Sequence, residues 1–170
     1  AISTFCFVSP PSRHQSVAIL AQAKRVCHKA MTNQTRQALL LSSDVDGEVA
    51  LQTAGYNAEK LSKFFRRVDV PTRSSGYGVK LTLDSVRGHI RDFFSVESNV
   101  HILYGIFHGR AGEWKLRDGS LGLAQILELW DCAKAEGTAQ YLLIVSDSCE
   151  SGSMVEEVGR LARTDIAVQA

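Results

Sequence analysis

The chain has 170 residues, of which 45% are hydrophobic and 22% are charged, and its formal net charge is +1. Length and composition fit one globular domain with a sizeable core, and the near-neutral charge argues against nucleic acid or an anionic membrane as a partner. No apolar run approaches the ~20 residues that cross a bilayer. The first residues, Ala1–Cys6, lack both Met and the basic segment of a signal peptide, which favours a processed terminus.

The four cysteines are scattered along the chain without a Cys-x-x-Cys spacing, which argues against a zinc site. This pattern favours free thiols in a reducing compartment, so a cytoplasmic location is expected. Two disulfides in one of three pairings are the alternative.

The first 35 residues are predicted to form an N-terminal arm that precedes an α/β domain over residues 36–170. Pro10 and Pro11 block regular structure near its start. Two weak apolar stripes over residues 16–30 favour a helix there. The arm is expected to pack on the domain and to carry no chemistry.

The first half of the domain is predicted to contain two short strands and a helix. Ala38–Leu41 form a buried strand. Asn57 is the predicted N-cap of the helix, which ends near Arg67, where positive charge suits a helix C-terminus. Residues 72–78 are predicted to form a flexible loop, and Val79–Leu81 a short strand.

Further along the chain, predicted helices and strands continue to alternate. In chain order they are a helix capped by Asp84, a strand over 100–107, a hairpin over 112–119 that turns at Asp118-Gly119, a helix from Leu123 that stops at Gly137, a strand over 141–146, a helix opened by a Ser153/Glu156 capping box and a strand over 166–168. This alternation predicts the α/β class, as a three-layer αβα sandwich around a mainly parallel sheet. A further C-terminal segment or a second chain is expected to complete the sheet beyond the last strand.

Two polar tripeptides follow buried strands of this predicted sheet. Phe107-His108-Gly109 closes one strand, and Asp147-Ser148-Cys149 closes another. Because the carboxyl ends of parallel strands meet at one edge, a thiol and an imidazole are expected to lie close together there. Cys149 is the candidate nucleophile and His108 its candidate base, and the N–H groups of Gly109 and Cys149 are candidate oxyanion donors. A core thiol and a structural imidazole are the alternatives.

These two motifs resemble the signature of the caspase-like cysteine peptidases, the superfamily of caspases, metacaspases and paracaspases. The residues that carry the resemblance are His108-Gly109 and the hexapeptide from Asp147 to Gly152, which is closest to metacaspases and their bacterial relatives. The resemblance extends over roughly residues 36–170. It implies a caspase-like fold, His108 as the catalytic histidine, Cys149 as the nucleophile and Gly109 as an oxyanion donor, with peptide-bond hydrolysis through a thioester and no cofactor.

The resemblance also implies a substrate preference. Caspases that cleave after aspartate carry Gln two residues before the nucleophile, whereas that position here is Asp147, and residues 51–57 contain no arginine. A carboxylate in the first specificity pocket attracts Arg or Lys, as in metacaspases and paracaspases. Cleavage after Arg or Lys is therefore expected, with a loop-stabilising carboxylate as the alternative for Asp147. Trp114 is a candidate substrate-pocket residue, and hairpin packing is the favoured alternative for it.

Other features are given structural interpretations. The acidic stretch Asp44–Glu48 is too short for an EF-hand loop; some metacaspases are activated by calcium, but a solvated loop is favoured here. The charge of Glu150 is expected to act on the neighbouring thiol or to face solvent, and Cys132 to lie in the core. Four other histidines are expected at the surface or in packing roles: His14, His28, His89 and His101.

Two classes of function fit this sequence. The first is a cysteine endopeptidase whose partner is a peptide or protein substrate. The second is a non-catalytic caspase-like scaffold that dimerises through the sheet edge beyond the fifth strand. Selective alkylation of Cys149 that is lost in His108→Ala would support the peptidase, whereas equal alkylation of all thiols would support the scaffold.

Overall fold

The computed structural model of the protein describes residues 35–43, 54–75 and 79–170, all within one compact unit that spans 33–170. Its elements in chain order are β1 (Arg36–Ser43), α1 (Ala54–Arg67), β2 (Thr72–Ser75), α2 (Leu83–Phe94), β3 (Ser98–Phe107), β4 (Gly109–Arg110), β5 (Glu113–Leu116), β6 (Gly119–Gly122), α3 (Leu123–Ala135), β7 (Ala139–Asp147), α4 (Gly152–Leu161) and β8 (Ile166–Gln169). Except for Thr35, the predicted N-terminal arm lies outside the described residues, as does the acidic stretch Asp44–Glu48.

Five strands form a parallel sheet in the order β2-β1-β3-β7-β8. The central strand β3 is buried over Gly105–Phe107, and β1 is buried from Gln37 to Ser43. Such near-continuous burial is typical of parallel strands that have helices on both faces. The α/β class and the mainly parallel sheet predicted from the sequence are confirmed.

The helices divide between the two faces of this sheet. Successive side chains of a strand point to opposite faces. Ala58 of α1 packs against Ile106 of β3, with the half-buried Tyr104 beside them. Leu103 and Phe107, on the opposite face of β3, belong to the main hydrophobic core together with buried residues of α2, α3 and α4. Among the described elements, one helix therefore covers one face of the sheet and three helices cover the other.

The predicted position of the second strand was wrong. β2 occupies Thr72–Ser75, within the stretch expected to be a loop, and it pairs with β1 from Ala38 to Leu41. Val79–Leu81 is not a strand; Leu81 instead donates its N–H to the Ser43 hydroxyl at 2.8 Å. β2 lacks the apolar pattern of a buried strand because it lies at an edge of the sheet, where half-exposed polar side chains are tolerated.

Three predicted helix starts were also wrong. α1 begins at Ala54, before Asn57. Thr82 caps α2 by accepting a hydrogen bond from Ser85 N at 3.2 Å, so Asp84 lies in the first turn, where its charge suits the helix dipole. α4 begins one residue before Ser153, which therefore caps no helix.

The helix and hairpin that follow β4 are largely as predicted. β5 and β6 form an antiparallel hairpin, although its connecting residues are Arg117-Asp118, because Gly119 already pairs with Leu116. α3 ends at Ala135 and is followed by Gly137 at a φ of +78°, a conformation that favours glycine. Cys132 was expected in the core but is exposed on α3.

The Trp114 indole packs directly against the backbone of Gly105 in β3. A Cβ at Gly105 would overlap this ring, with Cε2 and Cη2 both at 2.6 Å. We expect Gly105→Ala to lower the free energy of unfolding by about 2 kcal/mol, since a packed core cannot absorb an added methyl group without strain. Urea denaturation measures the change. The control is Gly88→Ala on α2, which meets no atom within 4 Å and is expected to stabilise the helix slightly.

His101 is a fully buried histidine among three aromatic rings. Its ring centroid lies 5.1 Å from that of Phe93, 5.6 Å from that of Phe94 and 5.5 Å from that of Trp130. Nε2 contacts the Val96 carbonyl at 3.1 Å, while Nδ1 is the one buried side-chain N or O atom among the described residues without a hydrogen-bond partner. Burial lowers the pKa of His101, and the hydrogen bond to Val96 opposes this only in part. The packing role expected for His101 is therefore confirmed.

This lowered pKa predicts acid sensitivity of the fold. The unfolded chain, with a histidine pKa of about 6.5, binds the proton more readily than the folded state. The contribution of His101 to stability is complete above pH ~6.5 and declines as the pH falls toward the lowered pKa of the folded state. We expect the free energy of unfolding to fall more steeply below pH ~6.5 in the wild type than in His101→Gln. Equal slopes in urea denaturation series would contradict this explanation.

Candidate active site

His108 and Cys149 follow two adjacent strands at matching positions. Ile106 of β3 pairs with Asp147 of β7 in a parallel register. His108 comes two residues after Ile106, and Cys149 two residues after Asp147, so both lie at the carboxyl edge of the sheet. This is the edge at which open α/β sheets carry their ligands and chemistry.

The segments that carry these two residues are in direct contact. A Cβ placed on Gly109 would collide with the backbone oxygen of Cys149 and would lie 2.9 Å from both Cβ and Oγ of Ser148. Any side chain at position 109 would therefore push the two loops apart. The Cys149 thiol is free and exposed, and His108 is half-buried.

The backbone of β4 determines the direction of the Gly109 N–H. The His108 carbonyl accepts a hydrogen bond from Lys115 N of β5 at 2.8 Å. In a trans peptide unit the N–H points opposite to the carbonyl, and the described residues contain no cis peptide bond. The Gly109 N–H therefore points away from β5, on the side of its peptide unit opposite to Lys115.

Trp114 supports this edge from within the core. Its side chain is fully buried, stacks on Phe107 with ring centroids 4.8 Å apart, and donates from Nε1 to the Ser146 hydroxyl at 2.8 Å. Ser146 Oγ in turn lies 2.9 Å from Ser148 Oγ. The expected substrate-pocket role of Trp114 was wrong, because a side chain with no exposed surface cannot contact a substrate. The favoured alternative, packing of the hairpin, is the one observed.

Asp147 lies exposed at the same edge, on the face of the sheet covered by α1. Tyr104 lies on this face as well, on the neighbouring strand and nearer its amino end. Burial and, to a smaller extent, the negative charge of Asp147 raise the pKa of Tyr104. The Asp147 carboxylate is therefore near enough to the half-buried Tyr104 to act on it electrostatically. It is also exposed to solvent, which a group that binds an external cation must be.

Glu150 makes a contact that the sequence did not predict. Its carboxylate oxygen Oε2 accepts a hydrogen bond from Ala111 N at 2.7 Å, in the loop between β4 and β5. Sequence spacing carries no signal for a contact between positions so far apart in the chain. Ser153, predicted to cap α4, instead donates its hydroxyl to the Glu150 carbonyl at 2.8 Å.

In residues 35–43, 54–75 and 79–170, no three His, Cys, Asp or Glu side chains come together in a group suited to hold a metal ion. Within the same ranges, no helix has both the length and the apolar character that a membrane crossing requires.

Comparisons with known proteins add no assignment. No model of a known protein family matches the chain, and a search of curated proteins finds no significant match. The geometry of the sheet edge and the motifs that it brings together are therefore the basis for inferring a function.

Proposed function

We propose that this chain is a caspase-like cysteine endopeptidase that cleaves after Arg or Lys, with Cys149 as nucleophile and His108 as base. The observation that supports this most directly is the register of β3 and β7, because each residue comes two positions after the last paired residues of these adjacent strands, Ile106 and Asp147. Contact between Gly109 and the Cys149 segment supports it further. An exposed free thiol is accessible to a peptide substrate.

In the proposed reaction, His108 accepts the proton of the Cys149 thiol as the sulfur attacks the substrate carbonyl. Negative charge that develops on the carbonyl oxygen is stabilised by the N–H of Gly109. His108 then returns the proton to the leaving amine, and the C–N bond breaks to leave a thioester. Water, deprotonated by His108, hydrolyses the thioester and regenerates the thiol. Every step uses groups of the chain, and no metal or cofactor is proposed.

Asp147 is proposed to bind the basic side chain that precedes the cleaved bond. A guanidinium pairs with a carboxylate through two parallel hydrogen bonds, and an ammonium pairs as a point charge. We place the activity in the cytoplasm, where Cys149 would remain reduced. The proposed partners are peptide or protein substrates and a second chain that pairs with β8, the last strand in the order of the five-stranded sheet.

The test is a set of fluorogenic peptides that differ only in the residue before the cut, with Arg, Lys, Asp or Ala at that position. We expect cleavage after Arg and Lys by the wild-type chain and none by Cys149→Ala. Cleavage after Asp alone would refute the specificity. Absence of any cleavage, together with equal alkylation of Cys149 and the exposed Cys132, would favour the non-catalytic scaffold instead.

A further inference from the structure

The contact between Glu150 and Ala111 joins two loops whose backbones are both under strain. Glu150 has a φ of +56° and Ala111 a φ of +51°, left-handed conformations that are uncommon for residues other than glycine. The hydrogen bond of 2.7 Å between them is short and has an ionisable acceptor, which makes it one of the stronger kinds in proteins. It connects the residue after the candidate nucleophile to the loop after the candidate base.

A second contact holds the same two loops together. Gly112, at a φ of +78°, lies so close to α4 that a Cβ there would meet Ser153 Oγ at 2.5 Å and the Met154 N at 3.5 Å. Ser153 also donates its hydroxyl to the Glu150 carbonyl. The loop between β4 and β5 therefore packs against the first turn of α4, and the hydrogen bond from Ala111 N to the Glu150 carboxylate holds it in this position.

The strand pairing that anchors this loop within the sheet is short. β4 pairs with β5 through two residues only, Gly109 with Trp114 and Arg110 with Glu113. Ala111 follows directly, so its hydrogen bond to Glu150 acts two residues from the Gly109 N–H. A small rotation of the loop would turn that N–H away from the position where an oxyanion forms, and oxyanion stabilisation depends on donors that are already oriented.

We propose that Glu150 is a positioning residue, whose carboxylate holds the loop between β4 and β5 so that the Gly109 N–H is oriented toward the reacting carbonyl. This proposal rests on the proposed peptidase function. It assigns to Glu150 an acceptor role that does not depend on its charge acting on the Cys149 thiol. Glutamine retains an acceptor oxygen at that position without the charge, whereas alanine has neither.

The kinetic test compares wild type, Glu150→Ala and Glu150→Gln on the Arg peptide, with Glu156→Ala, at an exposed position of α4, as the control. We expect Glu150→Ala to lower kcat about tenfold with little change in KM, because an oxyanion donor acts in the transition state. Glu150→Gln should stay within about threefold of wild type, since it keeps a neutral hydrogen bond. The rate of Cys149 alkylation by iodoacetamide, which forms no oxyanion, should not change in either variant. Wild-type kcat in Glu150→Ala, or an equal loss in both variants, would overturn the proposal.

Amide hydrogen exchange tests the contact independently of activity. We expect the amide of Ala111 to exchange about tenfold faster in Glu150→Ala than in wild type or Glu156→Ala. If no peptide is cleaved by the wild type but exchange rises as expected, the peptidase function fails while the loop contact stands. Unchanged exchange in Glu150→Ala would overturn the contact itself.

Discussion

Replacing His108 with alanine is expected to lower kcat/KM for an Arg peptide by about a thousandfold. In the proposed reaction this imidazole both removes the thiol proton and protonates the leaving amine, so its loss affects the attack and the departure. Cys149 in the variant would keep its position, because the strand register that places it does not depend on the histidine side chain. Steady-state kinetics on the Arg peptide measure the effect.

Alkylation of the same variant separates loss of the base from loss of the fold. Cys132 is a second free and exposed thiol, on α3, and serves as an internal reference within each sample. In wild type, Cys149 should react faster than Cys132, and in His108→Ala the two rates should converge. His89→Ala is the control: this half-buried histidine of α2 pairs at 3.0 Å with Ser75 of the edge strand β2, which β1 separates from β3. Retained peptidase activity in His108→Ala would refute the assigned base.

The central strands could be predicted from the sequence because burial on both faces requires continuous apolar runs. β3 and β7 have such runs, and both were predicted within a few residues. β2 was not, because its sequence, Thr72–Ser75, has no apolar period and its strand conformation comes from pairing with β1. Pairing with β1 therefore determined the conformation of a segment whose local sequence favours a loop.

The candidate pair of residues was predictable for a related reason, since parallel strands deliver whatever follows them to one edge. The contacts that side chains make with one another at this edge could not be predicted from the sequence. The burial of Trp114 depends on the absence of a side chain at Gly105, on a different sheet. Trp114 then reaches Ser146 and, through it, Ser148, beside the candidate nucleophile. The alternation of polar and apolar residues in β5 accounts for the inward position of Trp114, but nothing in the local sequence identifies these contact partners.

Asp147→Asn is expected to lower kcat/KM for Arg and Lys peptides by about 10- to 100-fold while leaving the Ala peptide nearly unchanged. The substitution keeps the size of the side chain and removes the charge that pairs with a basic residue. Asp147 is exposed, so its charge is available to a ligand. A preference that arises from this pairing should also weaken as salt is added, because exposed charges are screened.

Two comparisons decide whether this carboxylate sets specificity or only supports the loop. Asp92→Asn removes an exposed charge from the end of α2 near the amino edge of the sheet, away from Cys149, and should change none of the peptides. A loop-supporting role for Asp147 would instead lower the rates for all peptides by the same factor, because a displaced nucleophile affects every substrate. A selective loss for basic peptides would therefore assign Asp147 to recognition, and a uniform loss would assign it to the structure of the nucleophile loop.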